Sequence, residues 1–170
     1  QPYIDAGKLV AQSGQYDKMT VATEGWATDK AQARFETILG TYYADQPLHA
    51  VLASNDSTAM GVINALDSSY NNDVWPVVTG QDCDIANMPH IINGKQAMSV
   101  FKDTRTLAAK VVEMVDALMK GAEPPINDTE TYNNNVITVP SFLCEPVFAD
   151  INNYKELLID SGYYTADQLA

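Results

Sequence analysis

Polar side chains directly follow three apolar runs of this sequence, and their types suit the binding of a hydroxyl-rich molecule. They are, in chain order, Asn55 and Asp56 after residues 50–53, Gln81 and Asp82 after residues 74–79, and Lys102 after residues 98–101. Amide, carboxylate and ammonium groups are the donors and acceptors that hydroxyl groups need for paired hydrogen bonds. If the runs are parallel strands, these side chains lie at the carboxyl edge of one sheet, where open parallel sheets bind ligands.

An aromatic side chain would complete such a site, because the C–H faces of a sugar ring are apolar and pack well on an indole. Trp26, in the loop before the first long predicted helix, is the candidate, and the alternative is that it is a core tryptophan. Trp75 lies inside a predicted strand, and there the core interpretation is favoured.

Each polar candidate also has a purely structural interpretation. Asn55 suits the N-cap of the helix that follows it, and Asp82 could cap the helix after Gly80. Lys102, beside an apolar strand end and before Asp103, could be a solvated surface charge. Their shared position at predicted strand ends favours one binding site over three separate structural roles.

The motifs of common enzymes are missing from the sequence. His49 and His90 lack the i, i+4 spacing of a zinc protease, and there is no G-x-S-x-G, G-x-x-x-x-G-K-[ST] or G-x-G-x-x-G motif. A hydrolase would have to use Asp56 and Asp82 as an acid/base pair. We therefore predict no catalytic residue, no metal site and no cofactor.

The elements that position these residues alternate along the chain. The predicted strands are residues 9–13, 50–53, 74–79 and 98–101, with 136–139 as a candidate last strand. The predicted helices are residues 28–43, 56–67, 85–93, 103–120 and 154–160. Strands separated by helices indicate a parallel sheet covered on both faces, so the predicted class is α/β.

Length and charge exclude several kinds of protein. The 170 residues suit one globular domain. The formal charge of −12, from 22 acidic and 10 basic residues, would repel a polyphosphate backbone and argues against nucleic acid as a partner. The longest apolar runs fall far short of the ~20 residues needed to cross a bilayer, so we expect a soluble chain.

Three motifs then point to a family. Residues 54–61 (SNDSTAMG), 79–82 (TGQD) and 99–105 (SVFKDTR) closely resemble the periplasmic monosaccharide-binding proteins of ABC importers, especially the xylose-binding and multiple-sugar-binding types. The likeness covers nearly the whole chain, including residues 2–10, 21–23, 139–141 and 161–164. The resemblance implies a type I periplasmic binding protein, in which two Rossmann-like lobes are joined by three crossing strands and trap the sugar between them. Residues 1–170 resemble the C-terminal lobe, a three-layer parallel sheet with helices on both faces.

The resemblance also assigns roles to the candidate residues. Trp26 matches the stacking aromatic, Asn55 and Asp82 match the hydroxyl-binding amide and carboxylate, and Lys102 matches the polar residue at the second crossing. The implied function is reversible capture of a monosaccharide of the xylose, glucose, galactose or arabinose class, without chemistry. The implied partners are the membrane permease of the importer and the N-terminal lobe. The implied location is periplasmic or extracellular, with a lipid anchor on the missing N-terminus as one option.

The helix at residues 103–121 is expected, by the same resemblance, to pack on the missing N-terminal lobe. Without that lobe its apolar face has no native partner, so the fragment is expected to dimerise, to swap elements or to rest on a separate N-terminal piece. Alternatives to a transport receptor are the sensing domain of a sugar-responsive repressor, the ectodomain of a chemoreceptor or histidine kinase, and a carbohydrate hydrolase.

Cys83 and Cys144 are too sparse for a disulfide scaffold and wrongly spaced for a zinc cluster. The spacing alone is compatible with two buried thiols and with a single disulfide. The family that the chain resembles usually carries small or aliphatic residues at these positions. An extracytoplasmic location would favour a disulfide between them.

Overall fold

A computed structural model of the protein describes residues 2–169. They form two compact units, of which the first runs up to Val100 and resumes at Phe148, and the second is Phe101–Val147. The α-helices are α1 (Pro2–Asp5), α2 (Lys18–Val21), α3 (Thr28–Tyr42), α4 (Asp56–Ser69), α5 (Met88–Ile92) and α6 (Thr104–Met119). The strands are β1 (Ala50–Val51), β2 (Val77–Val78), β3 (Ser99–Phe101) and β4 (Val147–Ala149). Single 3₁₀ turns cover Glu24–Trp26, Ile85–Asn87 and Ala166–Gln168, and Lys155–Asp160 is π-helical.

The main apolar cluster of the first unit lies where α3 and α4 pack together beside β1 and β2. Its fully buried members include Leu39 of α3, Ile63 and Leu66 of α4, and Val78 of β2. Helix α4 approaches α3 closely at Gly61, where an added Cβ would overlap the carbonyl oxygen of Thr28. A glycine is therefore required at this crossing, although the same residue weakens an isolated helix.

The two strands β1 and β2 are parallel, as predicted. In the β1–β2 pair Ala50 lies opposite Val77, and a further parallel bridge joins Gln81 to Val100 and so continues the order toward β3. The strands are shorter than predicted, and β2 begins only at Val77. Pro76 precedes it, and proline has no backbone N–H to donate to a neighbouring strand.

Two strand predictions are wrong. Residues 9–13 form no strand, because Gln12 and Ser13 lie in a turn in which the Gly14 N–H donates to the Ala11 carbonyl at 2.8 Å. Within residues 2–169, residues 136–139 contribute one antiparallel bridge, between Asn133 and Thr138. Strand β4, which pairs with β3, was not predicted. Its three residues are too few to show the alternation that identifies a strand in a sequence.

The predicted helices are confirmed with small shifts at their ends. The helix predicted from residue 103 begins at Thr104, because Asp103 is its N-cap and accepts a hydrogen bond from the Arg105 backbone N–H at 2.9 Å. The segment predicted at residues 85–93 is a 3₁₀ turn followed by α5. Among the helices of residues 2–169, none combines the length and the apolar character required to span a bilayer.

The second unit contains α6 and a long polar loop. An antiparallel bridge joins Asp128 to Ser141, and the ammonium group of Lys110 lies 4.3 Å from the centre of the Phe142 ring. Helix α6 is amphipathic, but none of its residues is buried. The large apolar side chains that it leaves exposed are Leu107, Val111, Val112, Val115, Leu118 and Met119.

Candidate ligand-binding site

Asn55 joins β1 to α4 and is the N-cap residue of that helix. Its side-chain oxygen caps α4 by accepting hydrogen bonds from the Thr58 backbone N–H at 3.1 Å and from Thr58 Oγ1 at 2.7 Å. The structural interpretation is therefore correct for the oxygen. For Nδ2, no hydrogen bond is described within residues 2–169, and the atom is not sealed from solvent. The cap holds the side chain through its oxygen.

Asp82 lies at the neighbouring strand end, in a backbone conformation that L-residues rarely adopt. Its φ is 106°, followed by 53° at Cys83, and such strain costs roughly 1–3 kcal/mol per residue. Two hydrogen bonds hold the turn: the Asp56 N–H donates to the Gln81 carbonyl at 2.8 Å, and the Asp82 N–H donates to the Val100 carbonyl at 2.9 Å. Asp82 does not cap the following 3₁₀ turn, whose N-cap is Asp84.

The carboxylate of Asp56 connects the segments that follow β1 and β2 through hydrogen bonds. Its two oxygens accept hydrogen bonds from Ser99 Oγ at 2.8 and 2.9 Å, from Gln96 Nε2 at 2.8 Å and from the Asp84 backbone N–H at 2.9 Å. The backbone carbonyl of Asp56 accepts a further hydrogen bond from Asn87 Nδ2 at 2.8 Å. One buried side chain thus connects α4, the turn after β2, and β3.

Burial raises the pKa of Asp56 above its ordinary value, and the bonds from Gln96, Ser99 and Asp84 partly offset that rise. The side chain is fully buried and already surrounded by protein donors. It therefore cannot contact a substrate, which disfavours an acid/base pair made of Asp56 and Asp82. Sequence reasoning considered Asp56 only for that pair and for a general polar role, and so missed its structural one.

Gly80 is required beside this carboxylate. A Cβ at that position would overlap Asp56 Oδ1 and Gln96 Nε2. The glycine after β2, which the sequence shows only as part of a turn, is therefore what allows the Asp56–Gln96 hydrogen bond to form. Its φ is not positive, so the requirement here is space and not backbone freedom.

Cys83 is a buried thiol. Its backbone N–H donates to Ser99 Oγ at 3.0 Å, and its carbonyl accepts from the Tyr164 hydroxyl at 2.9 Å. Burial raises the pKa of the thiol to about 12, so it is unreactive at neutral pH. Cys144 is half-buried, and both cysteines are free thiols, which is one of the two alternatives that the sequence left open.

Trp26 is not a core residue. It lies in a single 3₁₀ turn with a φ of 55°, and its side chain is 57% exposed. The guanidinium of Arg34 on α3 anchors the segment before this turn by donating to the Thr20 and Ala22 carbonyls and to Gln15 Oε1. Sequence reasoning did not identify Arg34, whose place on a helix gives no sign that it binds a loop.

Trp26 also lines a cavity of about 850 Å³ that Ser54 and Thr58 border but Asn55 and Asp82 do not. Trp75, by contrast, is partly buried against the main apolar cluster and donates from Nε1 to the Lys95 carbonyl at 2.8 Å, although it lies before β2 and not inside a strand. Lys102 directly follows β3 and is exposed, at the start of the second unit.

The structure thus places Asn55 and Asp82 after the paired strands β1 and β2, and the neighbouring Asp56 carboxylate binds the Asp84 N–H in the segment that follows Asp82. An α/β lobe with polar side chains at the carboxyl ends of its parallel strands belongs to the class of Rossmann-like ligand-binding domains. The family model described as "Periplasmic binding protein domain" matches residues 3–123. The chain belongs to this family, and the resemblance read from its motifs is confirmed.

Curated relatives are similar in sequence to this protein along nearly the whole chain. It is 45% identical to the multiple sugar-binding periplasmic receptor ChvE of Rhizobium radiobacter, over 99% of this chain and 49% of the receptor. It is 33% identical to the D-xylose-binding periplasmic protein of Escherichia coli, over 99% of this chain and 48% of that protein. The chain therefore spans about half the length of the curated relatives it matches.

Solved structures confirm the fold. An ABC transporter solute-binding protein from Clostridium phytofermentans, crystallised with bound β-D-glucose, is 63% identical and superposes with a TM-score of 0.94 over 99% of this chain and 52% of its own. A carbohydrate transporter solute-binding protein from Chloroflexus aurantiacus, in complex with D-glucose, is 30% identical, with a TM-score of 0.82 over 98% of this chain and 53% of its own. The chain has the fold of a Rossmann-like lobe of a type I periplasmic binding protein.

Proposed function

We propose that this chain is the sugar-binding lobe of an extracytoplasmic receptor that delivers a monosaccharide to an ABC importer. The observation that carries the proposal is the pair formed by Asn55 and Asp82. At adjacent strand ends they offer an amide donor and a carboxylate acceptor, which can pair with neighbouring hydroxyl groups of one sugar. The relatives bind sugars by name, and two solved neighbours hold glucose.

The buried carboxylate beneath the pair supports a binding role. A rigid site loses less conformational freedom when its ligand binds, so more of the hydrogen-bond energy remains as affinity. The Asp56 hydrogen bonds hold both strand ends without using the Asn55 amide nitrogen. Asp82 is held by its backbone in a strained conformation, which is typical of residues that position a functional group.

Two further side chains belong to the proposed site. Trp26 is exposed, as a residue that stacks on a sugar ring must be, and Arg34 anchors the segment that precedes its turn. Lys102 would add an ammonium donor at the second crossing between lobes. Binding is reversible and involves no bond cleavage, so in this proposal the protein is a receptor and not an enzyme.

The proposed receptor has a second lobe, which closes on the sugar and presents the closed form to a membrane permease. Helix α6 supports this part of the proposal. Its apolar side chains, such as Leu107, Val111 and Leu118, are exposed in a helix that would bury them against that lobe. The proposed location is the periplasm or the extracellular space, where the relatives named as periplasmic proteins act.

The test is a calorimetric titration of the full-length protein with glucose, xylose, galactose, arabinose and ribose. Asp82→Asn keeps the shape of the side chain and tolerates the positive φ, but it removes the charged acceptor. Loss of a hydrogen bond to a charged group is worth about 1.5–3 kcal/mol, so affinity should fall roughly 10- to 150-fold.

Asp73→Asn is the matched control, because Asp73 lies exposed in the loop before β2, and affinity should not change. Failure of all five sugars to bind the wild type would refute the ligand class. If the wild type binds a sugar and Asp82→Asn binds it equally well, the proposed site is refuted but the ligand class is not.

A further inference from the structure

The hydroxyl group of Tyr164 donates a hydrogen bond to the backbone carbonyl of Cys83 at 2.9 Å. The two residues are 81 positions apart in the sequence, and both belong to the first unit. Cys83 directly follows Asp82, which carries the carboxylate of the proposed sugar site. A distant part of the chain therefore contacts the turn that presents a candidate ligand-binding side chain.

The turn at Asp82 and Cys83 depends on support from its surroundings. Both residues have positive φ values, 106° and 53°, a conformation that L-residues keep only where the neighbouring structure holds it. Two residues of β3 bind the N–H groups of the turn: the Val100 carbonyl accepts from Asp82 at 2.9 Å, and Ser99 Oγ accepts from Cys83 at 3.0 Å. The Tyr164 hydroxyl binds the remaining polar group of the Cys83 backbone, its carbonyl.

Tyr164 is itself held in place and stays a hydrogen-bond donor. Its backbone N–H donates to the carbonyl of the fully buried Leu158 at 2.8 Å. Its ring packs edge to face on the Tyr163 ring, with centroids 4.9 Å apart. Burial raises the pKa of the Tyr164 hydroxyl to about 12, so the group keeps its proton at neutral pH. A fixed donor therefore faces the Cys83 carbonyl.

We propose that Tyr164 is a positioning residue for ligand binding: its hydroxyl group fixes the Cys83 carbonyl and so holds the Asp82 carboxylate in the orientation that accepts a hydrogen bond from a sugar. This role rests on the proposed function, in which Asp82 contacts the sugar and Tyr164 does not. A carboxylate that is held before the ligand arrives loses less conformational freedom on binding, so more of its hydrogen-bond energy remains as affinity.

Tyr70 offers a matched control, because it makes the same kind of contact elsewhere in the first unit. It is half-buried, like Tyr164, and its hydroxyl accepts a hydrogen bond from the Leu48 N–H at 2.9 Å. Leu48 lies before β1, at the opposite end of that strand from Asn55. Loss of either hydroxyl group should lower the melting temperature, but only Tyr164 contacts the turn of Asp82.

Calorimetric titration of the full-length protein with a sugar that binds the wild type tests this role. Tyr164→Phe keeps the ring and removes one neutral hydrogen bond, so affinity should fall roughly 2- to 10-fold. Tyr70→Phe should leave affinity unchanged, although both variants melt at a lower temperature than the wild type. Unchanged affinity in Tyr164→Phe, or an equal fall in both variants, would overturn the positioning role and leave Tyr164 a structural one.

Amide hydrogen exchange in the sugar-free protein gives a second readout, which does not depend on sugar binding. Tyr164→Phe should make the Asp82 and Cys83 amides exchange roughly 2- to 10-fold faster, whereas Tyr70→Phe should affect the Leu48 amide instead. Exchange of Asp82 and Cys83 at the wild-type rate in Tyr164→Phe would refute its hold on the turn. If no sugar binds the wild type, the proposed function fails, and faster exchange would still support that hold.

Discussion

Replacing Asp56 by Asn should destabilise the first unit far more than its near-identical shape suggests. Both carboxylate oxygens accept hydrogen bonds, one from Gln96 Nε2 and the other from the Asp84 backbone N–H, and the single hydroxyl hydrogen of Ser99 is shared between them. An amide presents NH₂ in place of one oxygen, so one donor must face another. A buried donor without a partner costs about 1–3 kcal/mol, and the lost charged bonds add to that.

Because the asparagine no longer buries a charge, part of this loss is offset, and we expect a net loss of about 2–4 kcal/mol. For a chain of this length that is a decrease of roughly 4–16 °C in melting temperature. Urea unfolding followed by tryptophan fluorescence measures the loss of unfolding free energy, with Asp73→Asn as the exposed control. If Asp56→Asn costs no more than the control, the carboxylate does not hold the strand ends and the reasoning fails.

The stability lost in Asp56→Asn should also depend on pH, in a direction that the pKa of Asp56 defines. Burial raises the pKa of Asp56 in the folded protein above its unfolded value of 3.8. The folded state then binds the proton more tightly, so the contribution of Asp56 to stability is greatest at acid pH and falls as the pH rises through the folded pKa. The stability difference between wild type and Asp56→Asn should therefore be larger near pH 4 than at pH 7. A difference that grows toward pH 7 would show that the hydrogen bonds outweigh burial and lower the pKa.

Gly80→Ala should destabilise the protein by about 2–4 kcal/mol, because the added Cβ overlaps Asp56 and Gln96. Gly40→Ala, in the last turn of α3 where a Cβ meets no other atom, should stabilise it by about 0.5–1 kcal/mol. Thermal unfolding measures both changes, and equal effects would contradict the predicted overlap at Gly80. Asn55→Asp keeps the oxygen that caps α4 and removes the Nδ2 donor, so the melting temperature should change little while sugar affinity falls roughly 10-fold or more. A fall in stability without a change in affinity would confine Asn55 to its capping role.

The helices and the strand-end positions of the candidate residues could be predicted from the sequence. Helical periodicity defines α3, α4 and α6, and caps such as Asn55 and Asp103 lie within three residues of the groups they bind. These signals are local, so a single stretch of chain carries them. The family could also be identified, because three short motifs keep their residues and spacing.

The roles of Asp56, Gly80 and Cys83 could not be predicted, because they depend on residues far away in the chain. Asp56 binds Gln96 and Ser99, which follow it by 40 and 43 positions. Its burial, and therefore its exclusion from any acid/base pair, depends on how α4 and the strands pack. The exposure of Trp26 has the same origin, since an aromatic after a glycine suits both a core and a surface turn.

The sequence by itself determined the class of the fold, the order of its helices and the side chains that follow its strands, since periodicity and capping act within a few residues. Only the tertiary structure decided which strands pair. Residues 9–13 have the composition of a strand, yet no strand pairs with them within residues 2–169, and Gln12 and Ser13 lie in a turn. A strand is stable only through hydrogen bonds to another strand, whereas a helix forms its hydrogen bonds within itself.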